Sequence, residues 1–266
     1  MKSICIKTNN EDSINYLLNK FKNDNLKHIY FSCHKFKVFT NIIIHYTGDD
    51  LFFFIKYLSE TFSSLVLSLF ELDIAESIIN QEYFYFNKFE KNSILDRIKS
   101  INSDDNYSFE KKKSILYNTF FNYFIEHNKL YLKGFITFRL KSYYKELENI
   151  VDLSINQYVI EKEYNDFVEL LRLYVQSRSS ISEKVYLLYK KNNPILLDKN
   201  KNIIPTEINT LNCKYLSDIS FSSSDKILNT LLNILPRKIY IDLVDNKIDD
   251  FLNTLKLIFE NRVEFI

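Results

Sequence analysis

From Phe120 to Gln176 the chain carries apolar residues at helical spacing and not one proline. Ile136, Leu140, Tyr143, Leu147 and Ile150 recur at intervals of three and four, as do Tyr164, Phe167, Leu171 and Tyr174, which is how one face of a helix reads in sequence. The run far exceeds an ordinary globular helix of about 10–14 residues. Two or three helices packed as hairpins are therefore expected, with joints at Asn128 and at Asn156–Gln157. Gly134 lies inside the pattern at a cost of about 1 kcal/mol relative to alanine, which points to close packing against another helix.

The flanks read differently. Ser3–Lys7 is a short strand, and Asp12–Lys22 a helix with Ile14, Leu17, Leu18 and Phe21 on one side. His28–Cys33 and Phe36–Tyr46 alternate as strands, with Phe36, Val38, Ile42 and Ile44 on one face and a bend at Cys33–Lys35. Asp49 and Asp50 precede a helix expected to reach about Asn80, where their charge suits the first turn. A further helix covers Asn92–Ile101, and the polar Ser103–Asn106 marks a boundary.

After the second polar break, Gln176–Ser180, the period shortens. Val185–Tyr189 and Ile195–Leu197 form a strand pair, and Ser224 caps a helix over 225–235 that Pro236 stops. A strand over 238–244, a helix over 249–260 and a last strand over 263–266 follow; parallel strands there would make a right-handed βαβ crossover. The expected fold is α+β and helix-dominated. A central helical region, 106–180, is flanked by small α/β units at 1–105 and 181–266.

Composition excludes more than it assigns. With Gly48 and Gly134 as the only glycines, the chain has no phosphate-binding Walker loop, no dinucleotide fingerprint and no nucleophile elbow, each of which needs glycines at fixed spacing. His-Glu-x-x-His is missing as well. A single alanine, Ala75, and an excess of Asn, Ile, Lys, Phe and Tyr reflect A/T-rich codons, so these residues carry little functional information by number alone. Three scattered cysteines, Cys5, Cys33 and Cys213, suit reduced thiols and a cytoplasmic setting. The opening residues turn polar too soon for a secretory h-region. Lys56 and Glu60 interrupt the most apolar stretch, 51–70, so no integral membrane span is expected.

Three constellations bear on chemistry. Cys33–His34, with Cys5 and His45, has ligand atoms that suit zinc but lacks paired ligand spacing, and neighbours on a strand face opposite ways. Asp242, Asp245, Asp249 and Asp250 lie where a strand gives way to a helix, a common place for metal-binding carboxylates, yet Asp249 and Asp250 also suit a helical first turn. No cofactor and no metal site are assigned from either set. The third is charge: residues 111–145 hold eight basic residues against Glu126 alone. Within it Lys133, Arg139, Lys141 and Lys145 could track a phosphate backbone while Phe138, Tyr143 and Tyr144 stack on bases. The overall balance of +1 argues against a dedicated nucleic-acid domain. Arg139, between Phe138 and Leu140, is expected to be partly buried, with Glu161 or Glu163 as its partner.

One family resemblance joins these pieces. It rests on Gly134-Phe135-Ile136-Thr137-Phe138-Arg139-Leu140, Tyr143-Tyr144, Glu161-Lys162-Glu163-Tyr164, Phe167 and Leu170-Leu171, together with the ending Arg262-Val263-Glu264-Phe265. The chain resembles the YtxC-like family, associated with spore formation in Firmicutes. That resemblance implies a biological setting and supplies no reaction, ligand or catalytic residue. The reading leans against an enzyme and toward a non-catalytic module with an unknown protein partner, nucleic acid being the alternative partner.

Overall fold

A computed structural model describes residues 2–104, 106–190, 194–206, 222–243 and 248–266, with side chains described for all of these except 102–104 and 106–107. Its α+β architecture is helix-dominated. The chain divides into two compact units, residues 1–159 and 160–266.

The first unit is built on a four-stranded sheet of order β2-β3-β1-β4. Strand β1 (Lys2–Thr8) alternates, with Ile4, Ile6 and Thr8 buried, and helix α1 (Glu11–Asp24) follows after Asn10 accepts the Ser13 amide as its cap. Strands β2 (Ile29–Lys35) and β3 (Thr40–Tyr46) form an antiparallel hairpin, and β3 continues antiparallel onto β1. The hairpin turns at residues 36–39, so Phe36 and Val38 stand exposed at its tip while Ile42 and Ile44 enter the core. The expected bend at 33–35 is displaced because alternation does not locate a turn that lacks glycine and proline.

Helix α2 (Leu51–Leu69) is capped by Asp50 and buries Phe54, Ile55, Leu58, Phe62, Leu65 and Val66, a stripe one helical face wide. Its buried Ser59 and Ser63 donate to the carbonyls of Ile55 and Ser59, so no hydroxyl there is left bare. Among the described residues α2 is the one helix long and apolar enough to cross a membrane, and half of that window is buried. It packs against α5 through Phe62, whose ring lies 5.6 Å from Phe120 and 5.5 Å from Phe124.

The helix expected to run on to Asn80 instead ends at Leu69. Phe70 breaks it, and α3 (Glu71–Glu82) follows with Ile74, Ala75, Ile78 and Ile79 buried. Then come α4 (Lys88–Asp104), α5 (Asn106–Glu126), the three-residue β4 (Lys129–Tyr131), α6 (Leu132–Arg139) and α7 (Lys141–Ser177). Asp105, part of the expected boundary, lies outside the described residues. Strand β4 runs parallel to β1 and buries Leu130. Residues of α7 up to Val159 belong to the first unit, and those from Ile160 to the second.

Helix α7 passes through Asn156–Gln157 without a joint. Both side chains are exposed, so their amides stay in water and cost the helix only about 0.5 kcal/mol each in propensity. The break falls at Leu140 instead, between α6 and α7. Ile136, Leu140, Tyr143, Leu147 and Ile150 are all buried as their spacing requires. Farther along the phase differs: Val168 and Val175 are buried, whereas Tyr164 and Phe167 are exposed.

The second unit has a sheet of order β6-β5-β7-β8. Strands β5 (Ser182–Tyr189) and β6 (Ile195–Leu197) pair antiparallel, while β5 with β7 (Pro236–Leu243) and β7 with β8 (Val263–Phe265) pair parallel. Helix α8 (Ser223–Ile234) is capped by Ser222, two residues before the expected Ser224, through a reciprocal box with Asp225. Helix α9 (Asp250–Phe259) joins β7 to β8 and buries Leu252, Leu255, Ile258 and Phe259 against the sheet core.

Candidate functional site

Lys133, Arg139, Lys141 and Lys145 are all exposed. Lys133 and Arg139 are six residues apart on α6, which sets them roughly 120° apart around its axis. Lys133 lines a cleft with Asn9, Asn10 and Asp73, and Arg139 a separate hollow with Glu126 and His127. Lys141 and Lys145, four apart on α7, share one face. The exposure of Arg139 corrects the expectation of partial burial: as the last residue of α6 its guanidinium reaches water, so it needs no carboxylate from Glu161 or Glu163. Gly134 likewise abuts the Tyr131 ring, 2.8 Å from where a Cβ would sit, rather than another helix.

Two other members of the basic run are already engaged. Lys111 lies 2.8 Å from Glu146. Lys112 is completely buried, its ammonium 2.6 Å from Glu71 Oε1, while the Tyr143 hydroxyl donates to Glu71 Oε2 at 2.7 Å. Helices α3, α5 and α7 thus meet at a buried carboxylate that accepts from an ammonium and a phenol. Burial first, and then the Glu71 carboxylate, hold the Tyr143 phenol well above the ordinary tyrosine range. Charge alone does not set Lys112 apart from the other basic residues of 111–145. A helical period would have found it, because Lys112, Leu116, Phe120 and Phe124 follow one another at intervals of four on the buried stripe of α5.

Between α3 and α4 the sequence Tyr83-Phe84-Tyr85-Phe86 forms an aromatic loop. Its base is fastened: the Tyr83 hydroxyl donates to Asp152 at 2.6 Å, and the Phe86 ring meets Tyr158 edge-on at 5.9 Å. Asn87 and Glu90 cap one another at the start of α4, side chain to backbone in both directions, at 2.9 and 3.0 Å. Lys91 reaches back to Asn80 at 2.8 Å. Above this base Phe84, Tyr85 and Phe89 stand exposed, with Leu153 also exposed beside the Asp152 anchor. Composition could not single out this loop, since aromatic residues elsewhere, such as Phe54, Phe62, Phe120 and Phe124, end in the core.

A cleft of about 450 Å³ in the first unit opens beyond the carboxyl end of β1, over Phe70, Ile74, Leu132 and Ile136. Among the described residues no three histidine, cysteine or acidic side chains gather as a metal set. Cys5 pairs with Ile43 and Cys33 with Ile42 across the sheet, so the two thiols face opposite sides. His45 Nδ1 lies 2.8 Å from the Ser3 hydroxyl. Asp249 is the cap of α9 and accepts from Tyr189 at 2.5 Å, and Asp242 is exposed on β7. Asp245 and Cys213 lie outside the described residues.

Fold and site together define a helix-dominated α+β protein with a fastened, exposed aromatic loop and a buried ionic cluster. The sequence pattern of the YtxC-like family matches residues 56–264, and the chain belongs to that family. It is 33% identical over 120 residues to a Bacillus subtilis (strain 168) protein described as uncharacterized protein YtxC, a match covering 42% of each chain. The chain thus spans about 42% of the curated relative it matches. No solved structure matches it.

Proposed function

We propose that this chain is a non-catalytic protein-interaction module that serves spore formation in the cytoplasm. The observation that carries the reading is the aromatic loop, where Phe84, Tyr85 and Phe89 are 75, 65 and 78% exposed above a fastened base. Exposed aromatic side chains gain from burial against a partner, and a backbone already fastened has less conformational entropy to lose in doing so. The setting of spore formation rests on the family resemblance. The test is complementation in a spore-forming host deleted for this protein. A variant with Phe84, Tyr85 and Phe89 changed to Ser is expected to lower spore yield at least tenfold while melting with the wild type. Wild-type yield from that variant would contradict the proposal.

A second reading, nucleic-acid binding through Lys133, Arg139, Lys141 and Lys145, is favoured by the exposure of all four. Fluorescence anisotropy with generic RNA and DNA at low and physiological salt tests it. Binding that falls steeply with salt and vanishes when the four are neutralised would support it. No binding at low salt would remove it.

A further inference from the structure

In the second unit, the loop from α7 to β5 and the start of β7 enclose a concavity of about 370 Å³ lined by Arg178, Ser179, Ser180, Ser182 and Arg237, with Ile181 and Glu183. The strand register sets Ser182 beside Pro236, which brings the two basic segments to one end of the sheet. The loop is held in place from below. Half-buried Arg262 donates to the carbonyls of Val175 at 3.0 Å and Pro236 at 3.2 Å and to the Ser180 hydroxyl at 3.4 Å, and the Ile181 amide donates to Leu235 at 3.2 Å.

The charges of this concavity are unbalanced. Among the described residues no carboxylate pairs with Arg178 or Arg237, and the Arg178 guanidinium lies over the Tyr174 ring at 4.6 Å. Glu183, the single acidic side chain of the lining, already faces Lys199 at 3.7 Å. Arg262 adds a third positive charge bonded only to neutral acceptors. Guanidinium groups are the side chains best suited to planar, multidentate contact with oxyanions.

We propose that this pocket binds a phosphate-class oxyanion. Two guanidinium forks and three serine hydroxyls offer more donors than the two oxygens of a carboxylate can accept, and they suit the three or four oxygens of a tetrahedral ion. A volume within the usual range of about 300–1,000 Å³ for small-molecule sites leaves room for an organic group on the phosphate. The site is independent of the aromatic loop and of the function proposed for it.

Isothermal titration of the full chain at low ionic strength tests the assignment, with inorganic phosphate, adenosine 5′-monophosphate and adenosine as probes. Saturable binding of the phosphate-bearing probes and none of adenosine is the expected result. Arg178→Gln and Arg237→Gln are each expected to weaken it about tenfold or more. Lys226→Gln, which removes an exposed charge of the same unit on α8, is expected to leave it unchanged. Both arginines are exposed, so melting with the wild type confirms that the variants fold. Equal affinity for the two phosphate probes would identify the free ion as ligand, and tighter binding of the nucleotide a phosphorylated small molecule. An adventitious ion only, shown by absent saturation or by Lys226→Gln weakening binding as much as the arginine changes, would overturn the proposal.

Discussion

Lys112 sits wholly out of water with its charge against Glu71. Removing one partner of such a pair leaves the other's charge in a poor solvent, which typically costs about 3–5 kcal/mol. Lys112→Ala is therefore expected to lower the urea-unfolding free energy by that amount. Changing Lys112 to Met, Glu71 to Leu and Tyr143 to Phe together is expected to recover most of the loss, because an apolar set of similar volume carries no desolvation penalty. Tyrosine ionisation gives the second expectation. Burial and then Asp249 push the Tyr189 phenol up to about 12, and Asp152 followed by burial does the same for Tyr83. Tyr143 moves in the same direction. An unfolded tyrosine ionises near pH ~10, so above that point the unfolded chain has lost protons that the folded chain retains. Stability is complete below about pH 10 and declines as pH rises toward about 12. Urea midpoints on either side of that window should show the decline, and Tyr189→Phe should make it shallower.

Elements were legible where a period ran long enough or a cap stood at its end. Strand β1, helix α1 and the β7–α9–β8 succession carry alternating or amphipathic apolar residues closed by Asn10 and Asp249. Strand β4 was not legible, because three residues cannot display alternation; Leu130 is a strand residue only through its pairing with β1. The turn at Phe70 was hidden for a different reason. No glycine or proline marks it, and the contacts beside it are tertiary: Glu71, the first residue of α3, meets Lys112 and Tyr143. The unbroken course of α7 is open to a direct test. Asn156→Pro should cost about 3 kcal/mol or more, since it removes an interior hydrogen bond, whereas Asn156→Ala should be neutral or stabilising by a few tenths. Tolerance of both, by helicity and thermal melting, would mean a joint at that place. At α8 the loss of the Ser222 cap in Ser222→Ala should cost about 1 kcal/mol.

At the scale of the molecule, the chain's charge proved a poor guide to its surface. Lys111 and Lys112 are spent on Glu146 and Glu71, and the four candidates Lys133, Arg139, Lys141 and Lys145 divide between two faces of α6 and one of α7. Aromatic content was equally uninformative as a number, since phenylalanines fill the core as readily as they crown the loop between α3 and α4. Which of them stay outside depends on hydrogen bonds made at a distance in sequence, such as Tyr83 to Asp152. The central claim is that Phe84, Tyr85 and Phe89 form the face a protein partner covers. Photo-cross-linking in sporulating cells tests it most directly, with a photoreactive residue replacing Tyr85 and, as a control, Lys226. The expected result is a discrete, salt-resistant protein adduct at position 85 that is missing at position 226. Equal labelling at the two positions, or no protein adduct at 85, would contradict the claim.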